Sequence, residues 1–440
     1  MLDQRFSAEN LHKSLSLKMI IRHSLYGDKK VSPKKRYMNY IKPVSEAIEK
    51  RTFTFNNIET FIHPRSMKKT FLTKKEDGFS SEIAISRLNF LIRRLFKISF
   101  SDRNHITSQV KTILQDDFAG YVIKLDISGF FESINKETLS QILLDDRIIS
   151  HDTKWLLSKY FDFCSTIDGL PRGLSLTSTL SEYVLRDFDK KVRMLDGVYY
   201  YARYVDDIII FSTSDNWRNT KSEVSSLLNK GLSTGLIFND DKETVIRLEN
   251  IGKDGPNAKR QFSTIKSTSK ENEVSFHFLG YKFSLLNALD KEKIKNKKGL
   301  TNHQAKALPA LQVSISGKKI NRIKSKIKMS FVAFEKDKDL DLLRKRLKFL
   351  SGTYPIDKSI RHTHGEVDQL KGGICFTYPL ASDLTELKGL DRFLKKQITD
   401  AKISLSAETY SFFLNFKKRP FYEDLNQEEI SRIKECWNNV

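Results

Sequence analysis

The run Tyr201-Ala202-Arg203-Tyr204-Val205-Asp206-Asp207-Ile208-Ile209-Ile210-Phe211 constrains this chain more than any other stretch. Its apolar, β-branched residues have the pattern of a buried strand, yet two adjacent carboxylates interrupt it. Like charges placed there lose water and repel one another. A strong counter-charge must offset that cost, and a divalent metal is the usual one. A charged turn between two strands is the alternative, because Asp favours turns. The flanking runs predict a hairpin with Asp206 and Asp207 at its turn.

A second segment, Tyr121-Val122-Ile123-Lys124-Leu125-Asp126-Ile127-Ser128-Gly129-Phe130-Phe131, is another short apolar strand ending at a carboxylate. Ser128-Gly129 turns the chain. Asn135 then has the place of a helix cap, with Leu139, Ile142 and Leu143 following at helical spacing. A strand and a hairpin side by side in one sheet would bring Asp126, Asp206 and Asp207 together. Three such carboxylates can hold two magnesium ions about 3.5–4 Å apart, the arrangement used for in-line phosphoryl transfer; manganese is the alternative hard cation.

These two segments, with three more in a fixed order, resemble reverse transcriptases over roughly residues 85–285. Asp126 matches the family's first catalytic aspartate. Gly169-Leu170-Pro171-Arg172-Gly173-Leu174-Ser175 is similar to the turn-and-helix motif beneath the templating base. Tyr204-Val205-Asp206-Asp207 is similar to the family's most specific signature. Gly235-Leu236-Ile237-Phe238-Asn239 with Lys242 and Thr244 resembles the next motif, and Phe278-Leu279-Gly280-Tyr281 resembles the hairpin that grips the primer.

The resemblance implies an α+β right-hand polymerase: fingers, a palm whose antiparallel sheet carries the aspartates, and a helical thumb. It implies RNA-directed DNA polymerase activity, a nucleotidyl transfer from dNTPs. Asp126, Asp206 and the carbonyl of Ile127 would bind two Mg2+ ions, with Asp207 close by. One ion would lower the pKa of the primer 3′-hydroxyl and the other would neutralise the leaving pyrophosphate. Lys242 could give a proton or a positive charge to that group; a solvated lysine is the alternative. Phe131, five positions after Asp126, matches the ring that excludes a ribose 2′-hydroxyl by clash; a plain core role is the alternative. Gly173 lets backbone approach the nucleotide. Arg172 stands where many members carry glutamine and could contact a phosphate or a base. Among the basic residues Arg87, Arg93, Arg94 and Arg103 around Leu88-Asn89-Phe90-Leu91, Arg87 is the choice for holding the triphosphate, with a surface salt bridge as the alternative.

The organisation expected along the chain is a basic, irregular N-terminal extension over 1–75, with Lys29-Lys30 and Lys34-Lys35-Arg36, then fingers over 76–120 and palm over 121–285. A Lys- and Asn-rich linker over 286–310 and a helical thumb and C-terminal region over 311–440 follow. Leu176, Leu180, Val184 and Phe188 recur every four residues, an amphipathic helix. Ser316 can cap a helix whose Ile320, Ile323, Ile327 and Phe331 share one face. Lys319, Arg322 and Lys326 lie on other faces; in a polymerase this would be a thumb helix with its basic side along the primer–template, and an ordinary amphipathic surface helix with a solvated basic face is the alternative.

Charge agrees with a polyanion partner: 76 Lys and Arg against 54 Asp and Glu give a formal +22. Cys164, Cys375 and Cys436 form neither a zinc spacing nor a paired framework, which fits a reducing cytosol. His362 and His364 have the setting of a loop. No apolar run or signal pattern suggests a membrane partner.

A compact polymerase without a recognisable nuclease or integrase resembles bacterial defence-associated reverse transcriptases, the abortive-infection set. The opening Met1-Leu2-Asp3-Gln4-Arg5-Phe6-Ser7-Ala8-Glu9-Asn10 resembles a subtype that works as two paired polymerases with a structured noncoding RNA. That resemblance implies a bacterial cytoplasmic protein acting in antiphage defence, with noncoding RNA, a DNA product and a second polymerase subunit or a homo-oligomer as partners. A retron or group II intron polymerase, and a non-catalytic RNA-binding scaffold, are the rival readings.

Overall fold

The computed structural model of the 440-residue chain describes residues 2–25, 31–63, 67–116, 118–251, 259–267, 273–299, 301–306, 309–357, 370–425 and 427–437. Lys29, Lys30, His362 and His364 lie outside the described residues. The chain forms two compact units, one of Met1–Ser101 with Gly120–Glu243 and one of Asp102–Ala119 with Thr244–Val440. Both combine helices with antiparallel strands, so the fold is α+β.

In the first unit, strands β1 (Ile58–Ile62) and β2 (Lys69–Thr73) form an antiparallel hairpin. Strands β3 (Gly120–Asp126), β4 (Val198–Tyr204) and β5 (Asp207–Ser212) run antiparallel in the order β4-β5-β3. Ile208, Ile209, Ile210 and Phe211 of β5 are all buried, which explains their unbroken apolar run: both faces of this strand are covered. Helix Ser175–Val192 buries Leu176, Leu180, Val184 and Phe188, the predicted stripe, and packs against helix Phe79–Leu95. Asn135 caps helix Lys136–Asp145 by accepting from the Thr138 amide at 2.8 Å, as its sequence position predicts.

The N-terminal 75 residues differ from the expected irregular extension. They form helices Ala8–His12, Leu17–Arg22 and Met38–Glu49 besides the β1–β2 hairpin. Phe6, Leu11, Ile41, Val44, Ile48, Phe53 and Phe55 are buried. Helices of five or six residues are too short to show a period, yet each inserts one or two apolar side chains into the core.

In the second unit, β6 (Thr244–Ile251) pairs with β7 (Lys259–Lys266), and β8 (Val274–Phe278), β9 (Tyr281–Leu285) and β10 (Leu311–Ile315) form a sheet in the order β10-β9-β8. Helix Arg103–Gln115 belongs to this unit, so the expected fingers segment 76–120 is divided between the two. The expected linker over 286–310 is corrected as well: it holds helices Ala288–Lys298 and Asn302–Lys306. Asn287 and Asp290 form a capping box at the first, and Gly299 closes it at φ 63°. Lysine and glutamate are good helix formers, and a helix with little apolar face looks like a linker in sequence. Ser316 precedes helix Gly317–Asp337 without a side-chain cap bond; Ile320, Ile327 and Phe331 are buried as predicted. The C-terminal region is not wholly helical, because β11 (Thr353–Asp357) pairs with β12 (Leu370–Gly373).

Candidate active site

Strand register brings the three aspartates together. β3 and β5 pair so that Asp126 lies directly opposite Asp207. β4 and β5 are joined through Val205 and Asp206, with Tyr204 opposite Asp207. The Asp206 carbonyl accepts from the Ile127 amide at 3.1 Å, which ties the tip of the hairpin to the end of β3. Val205 sits at φ 60°, a conformation that is costly for a β-branched residue.

A clamp behind the hairpin holds that turn. The Arg203 guanidinium donates to the Val205 carbonyl at 2.9 Å, and it forms ion pairs with Glu182 at 2.6 Å and Asp189 at 2.7 Å. The Tyr201 hydroxyl also donates to Asp189, at 2.6 Å. Burial opposes the charge on Arg203, but the two carboxylates outweigh it and hold the group protonated well above its usual range. Sequence reasoning missed this clamp; the signal was a single arginine inside an otherwise apolar and aromatic strand.

The third wall is the segment after Gly235. The Ser128 amide donates to the Ile237 carbonyl at 2.9 Å, Ile127 bridges Phe238, and the Asn239 amide donates to the Asp126 carbonyl at 2.8 Å. Asn239 caps the short 3-10 helix Asp240–Lys242. That turn aims Lys242 at the aspartates, its Nζ 2.7 Å from Asp126 Oδ2.

The electrostatics are those of a site short of positive charge. Burial pushes the Asp207 carboxyl up to about 6; Lys124, at 3.9 Å, pulls it back, and Asp206 and Asp126 push it further. Burial raises Asp206 too, with Asp126 adding to the rise and Lys242 and Lys68 opposing it. Among the described residues no three His, Cys, Asp or Glu side chains stand in ligating geometry. Asp126 spends one oxygen on Lys242, and Asp207 faces Lys124. The donor set nevertheless suits a hard divalent cation, since Asp126, Asp206 and Asp207 converge and such a charge would relieve the burial and repulsion that raise Asp206 and Asp207.

The family model described as reverse transcriptase (RNA-dependent DNA polymerase) matches residues 37–283, more than half of the sequence. The chain belongs to the reverse transcriptase family. That family is described as one of RNA-dependent DNA polymerases. Among solved structures, telomerase from Candida albicans in complex with a fragment of telomeric RNA is similar at 12% identity with a TM-score of 0.34. The likeness covers 81% of this chain and 50% of that one, so this reverse transcriptase spans half the length of its structural relative. No curated protein sequence matches it.

Around the aspartates of the reverse transcriptase, Phe131 is buried against Phe130, and Arg172 caps its ring at 4.6 Å. Arg172 is also paired with Glu132, at 3.1 and 3.2 Å to the two carboxylate oxygens. The arginine expected to meet a phosphate or base is thus engaged by a neighbouring carboxylate. Gly173, at φ 107°, lies under the β1–β2 hairpin: a Cβ there would stand 2.6 Å from the Phe71 carbonyl oxygen. The Phe71 amide donates to the Arg172 carbonyl at 2.7 Å, fastening the hairpin to the loop. A cleft of about 690 Å³ opens beside this contact, lined by Lys68, Lys69, Phe71, Glu132 and Arg172.

Arg87 does not fit the triphosphate role. It is 3% exposed and donates to the carbonyls of Asp3 and Arg5, so it anchors the N-terminal segment. An arginine next to surface-patterned arginines looks exposed in sequence; only the chain returning from residue 3 buries it. Lys68, which sequence reasoning did not single out, is the basic group of the β1–β2 hairpin that acts on Asp206.

In the second unit, Phe278 and Tyr281 pair across a two-residue turn in which Leu279 and Gly280 both have positive φ, 46° and 85°. Arg103 braces that turn: its Nε donates to the Leu279 carbonyl at 2.8 Å, its Nη1 to the Thr377 carbonyl at 2.6 Å, and its guanidinium lies about 5 Å from the rings of Tyr281 and Tyr378. On helix Gly317–Asp337 Lys319 is exposed and Lys326 half-buried; loss of surrounding water, and then Arg322, lower the proton affinity of each. Lys326 also lies 5.0 Å from the Trp437 ring.

Proposed function

We infer that this reverse transcriptase extends a primer with dNTPs through the site formed by Asp126, Asp206, Asp207 and Lys242. The observation that carries the reading is the register placing Asp126 opposite Asp207, with Asp206 at the adjoining turn. Reverse transcriptase domains generally use divalent metal ions. Here Asp126, Asp206, Asp207 and the Ile127 carbonyl would hold Mg2+ or Mn2+, which when bound would supply activation of the 3′-hydroxyl and neutralisation of pyrophosphate. Lys242, now paired with Asp126, adds positive charge where the leaving group develops negative charge. Phe131 excludes the 2′-hydroxyl, and Lys68 reaches from the hairpin toward the triphosphate. The Phe278–Tyr281 turn grips the primer, and Lys319, Arg322 and Lys326 follow the duplex. Residues 1–101 and 120–243 take the fingers and palm roles, and the helices after Ser316 the thumb role.

The finer biology rests on the resemblance of the motifs and the opening residues: antiphage defence in a bacterial cytoplasm, with a noncoding RNA and a second polymerase subunit or a second copy of the chain. The protein, purified with co-expressed RNA and given magnesium and labelled deoxynucleotides, is expected to make DNA that Asp206→Asn does not. Equal incorporation by both would reduce the chain to an RNA-binding scaffold. Sequencing the co-purified RNA and the product separates a dedicated noncoding RNA from a retron or intron template.

A further inference from the structure

Helix Phe79–Leu95 has a second solvent-facing stripe that the polymerase site does not use. Its buried positions, Ile83, Ala84, Leu88, Leu91 and Ile92, face the core. Ser86, Phe90, Arg93 and Arg94 recur at helical spacing on the other side, and Lys97 continues the line. With residues 13–16 of the N-terminal segment, this stripe forms a cleft of about 720 Å³.

The chemistry of the cleft is one-sided. Lys13, Arg93, Arg94 and Lys97 line it and are exposed, and no described Asp or Glu lines it. Such a cluster repels itself and attracts polyanions. A solvated basic face would normally carry interspersed acids and no large ring. Here Phe90 remains 40% exposed between the cations, and Phe100, 44% exposed, lies 4.8 Å from the Arg93 guanidinium. Buried Arg87 backs the Phe90 ring at 5.3 Å, while exposed Arg94 reaches it at 5.9 Å, the outer limit of a cation–π contact. A base stacking on Phe90 would displace only that weak contact. From Ser86 to Leu95 the helix rises about 14 Å, with Lys97 just beyond its end, room for a few nucleotides.

We propose that this cleft is a binding site for single-stranded nucleic acid, separate from the polymerase site, in which Lys13, Arg93, Arg94 and Lys97 take phosphates and Phe90 stacks on a base. It shares no lining residue with the cleft beside Arg172. Its concave form and exposed ring suit a strand better than a flat anionic surface.

The test uses the full chain with its polymerase site saturated by an unlabelled primer–template hairpin, without nucleotide. Anisotropy then follows fluorescein-labelled oligouridylate and oligodeoxythymidylate of about 12 residues. Wild type is expected to bind at least one of them, and preference between the two assigns the sugar. Arg93→Ala/Arg94→Ala should weaken binding at least about tenfold and reduce the slope of log K against log salt by about 1.4, two single-strand phosphate contacts. Phe90→Ala should cost about fivefold or more with the salt slope unchanged. Both variants should extend the hairpin within about twofold of wild type. Loss of oligonucleotide binding when the hairpin saturates, equal affinity in the double variant, or binding only to phosphatidylserine vesicles would overturn the proposal. Because binding is read without catalysis, a protein that fails to polymerise can still pass or fail this test.

Discussion

Lys242 Nζ lies 2.7 Å from Asp126 Oδ2, a contact between residues 116 positions apart, made from the short 3-10 turn Asp240–Lys242. Burial opposes the lysine's charge, but Asp126, and then Asp206 and Asp207, hold it above its usual range. It is a fixed cation beside the carboxylates. Lys242→Ala is expected to lower kcat for dNTP incorporation about 100-fold with little change in the KM for primer. Lys242→Arg should recover part of that loss, because charge rather than shape is removed first. Unchanged single-turnover rates for Lys242→Ala would leave the lysine as a structural tether.

Phe131 offers a second measurement. Its ring is held by Phe130 on one side and Arg172 on the other, so its position is defined by packing. Phe131→Ala should raise rNTP incorporation relative to dNTP by about tenfold or more. A buried Phe→Ala change can cost about 3–5 kcal/mol in stability, so Phe131→Val gives the second reading with less loss of volume. Sugar discrimination equal to wild type in a folded Phe131→Val protein would make the ring ordinary core.

The aspartate site was legible because its two strands announce themselves: short β-branched runs, each ending at an acid. What joins them is less so. Arg203 carried a signal, an arginine within an apolar strand, but its partners Glu182 and Asp189 lie on a helix that periodicity alone presents as amphipathic. Arg103 carried none, since its contact with Leu279 spans 176 positions. Arg87 misled, because burial by the first few residues of a chain leaves no local pattern. The helix Ala288–Lys298 was hidden for the opposite reason: caps and propensity make it, with little apolar face to show a period.

Arg203 should be costly to remove. It is 4% exposed and balances two carboxylates, so Arg203→Met leaves Glu182 and Asp189 without their cation. The expected loss is about 3–5 kcal/mol in chemical denaturation. Adding Glu182→Gln and Asp189→Asn should return a substantial part of it. No recovery in the triple variant would mean that packing of the guanidinium, rather than its charge, carries the stability.

Arg103 is a positioning residue for the Leu279–Gly280 turn. Lysine cannot reproduce two directed hydrogen bonds and contact with two rings at once. Arg103→Lys should raise the KM for primer–template several-fold, about 1 kcal/mol, while kcat at saturation stays near wild type. A fall in kcat at unchanged KM would place its influence elsewhere.

In the metal-free protein, the contribution of Asp207 to stability should fall as pH rises through the carboxylate range. Asp207 is held at about 6 against an ordinary 3.8, first by burial and then by Asp206 and Asp126. Between those values the folded chain keeps a proton that the unfolded chain has released, so the folded state binds more protons and stability falls with pH. The penalty is complete above the folded value and absent below the ordinary one. In EDTA, Asp207→Asn should therefore melt higher than wild type at about pH 8 and lose that advantage by about pH 3. Magnesium should raise the wild-type Tm at the higher pH and do much less for Asp207→Asn, since a cation among the carboxylates relieves the same repulsion that the amide removes. Matching melting curves for the two proteins in EDTA across this range would show that Asp207 carries no such strain.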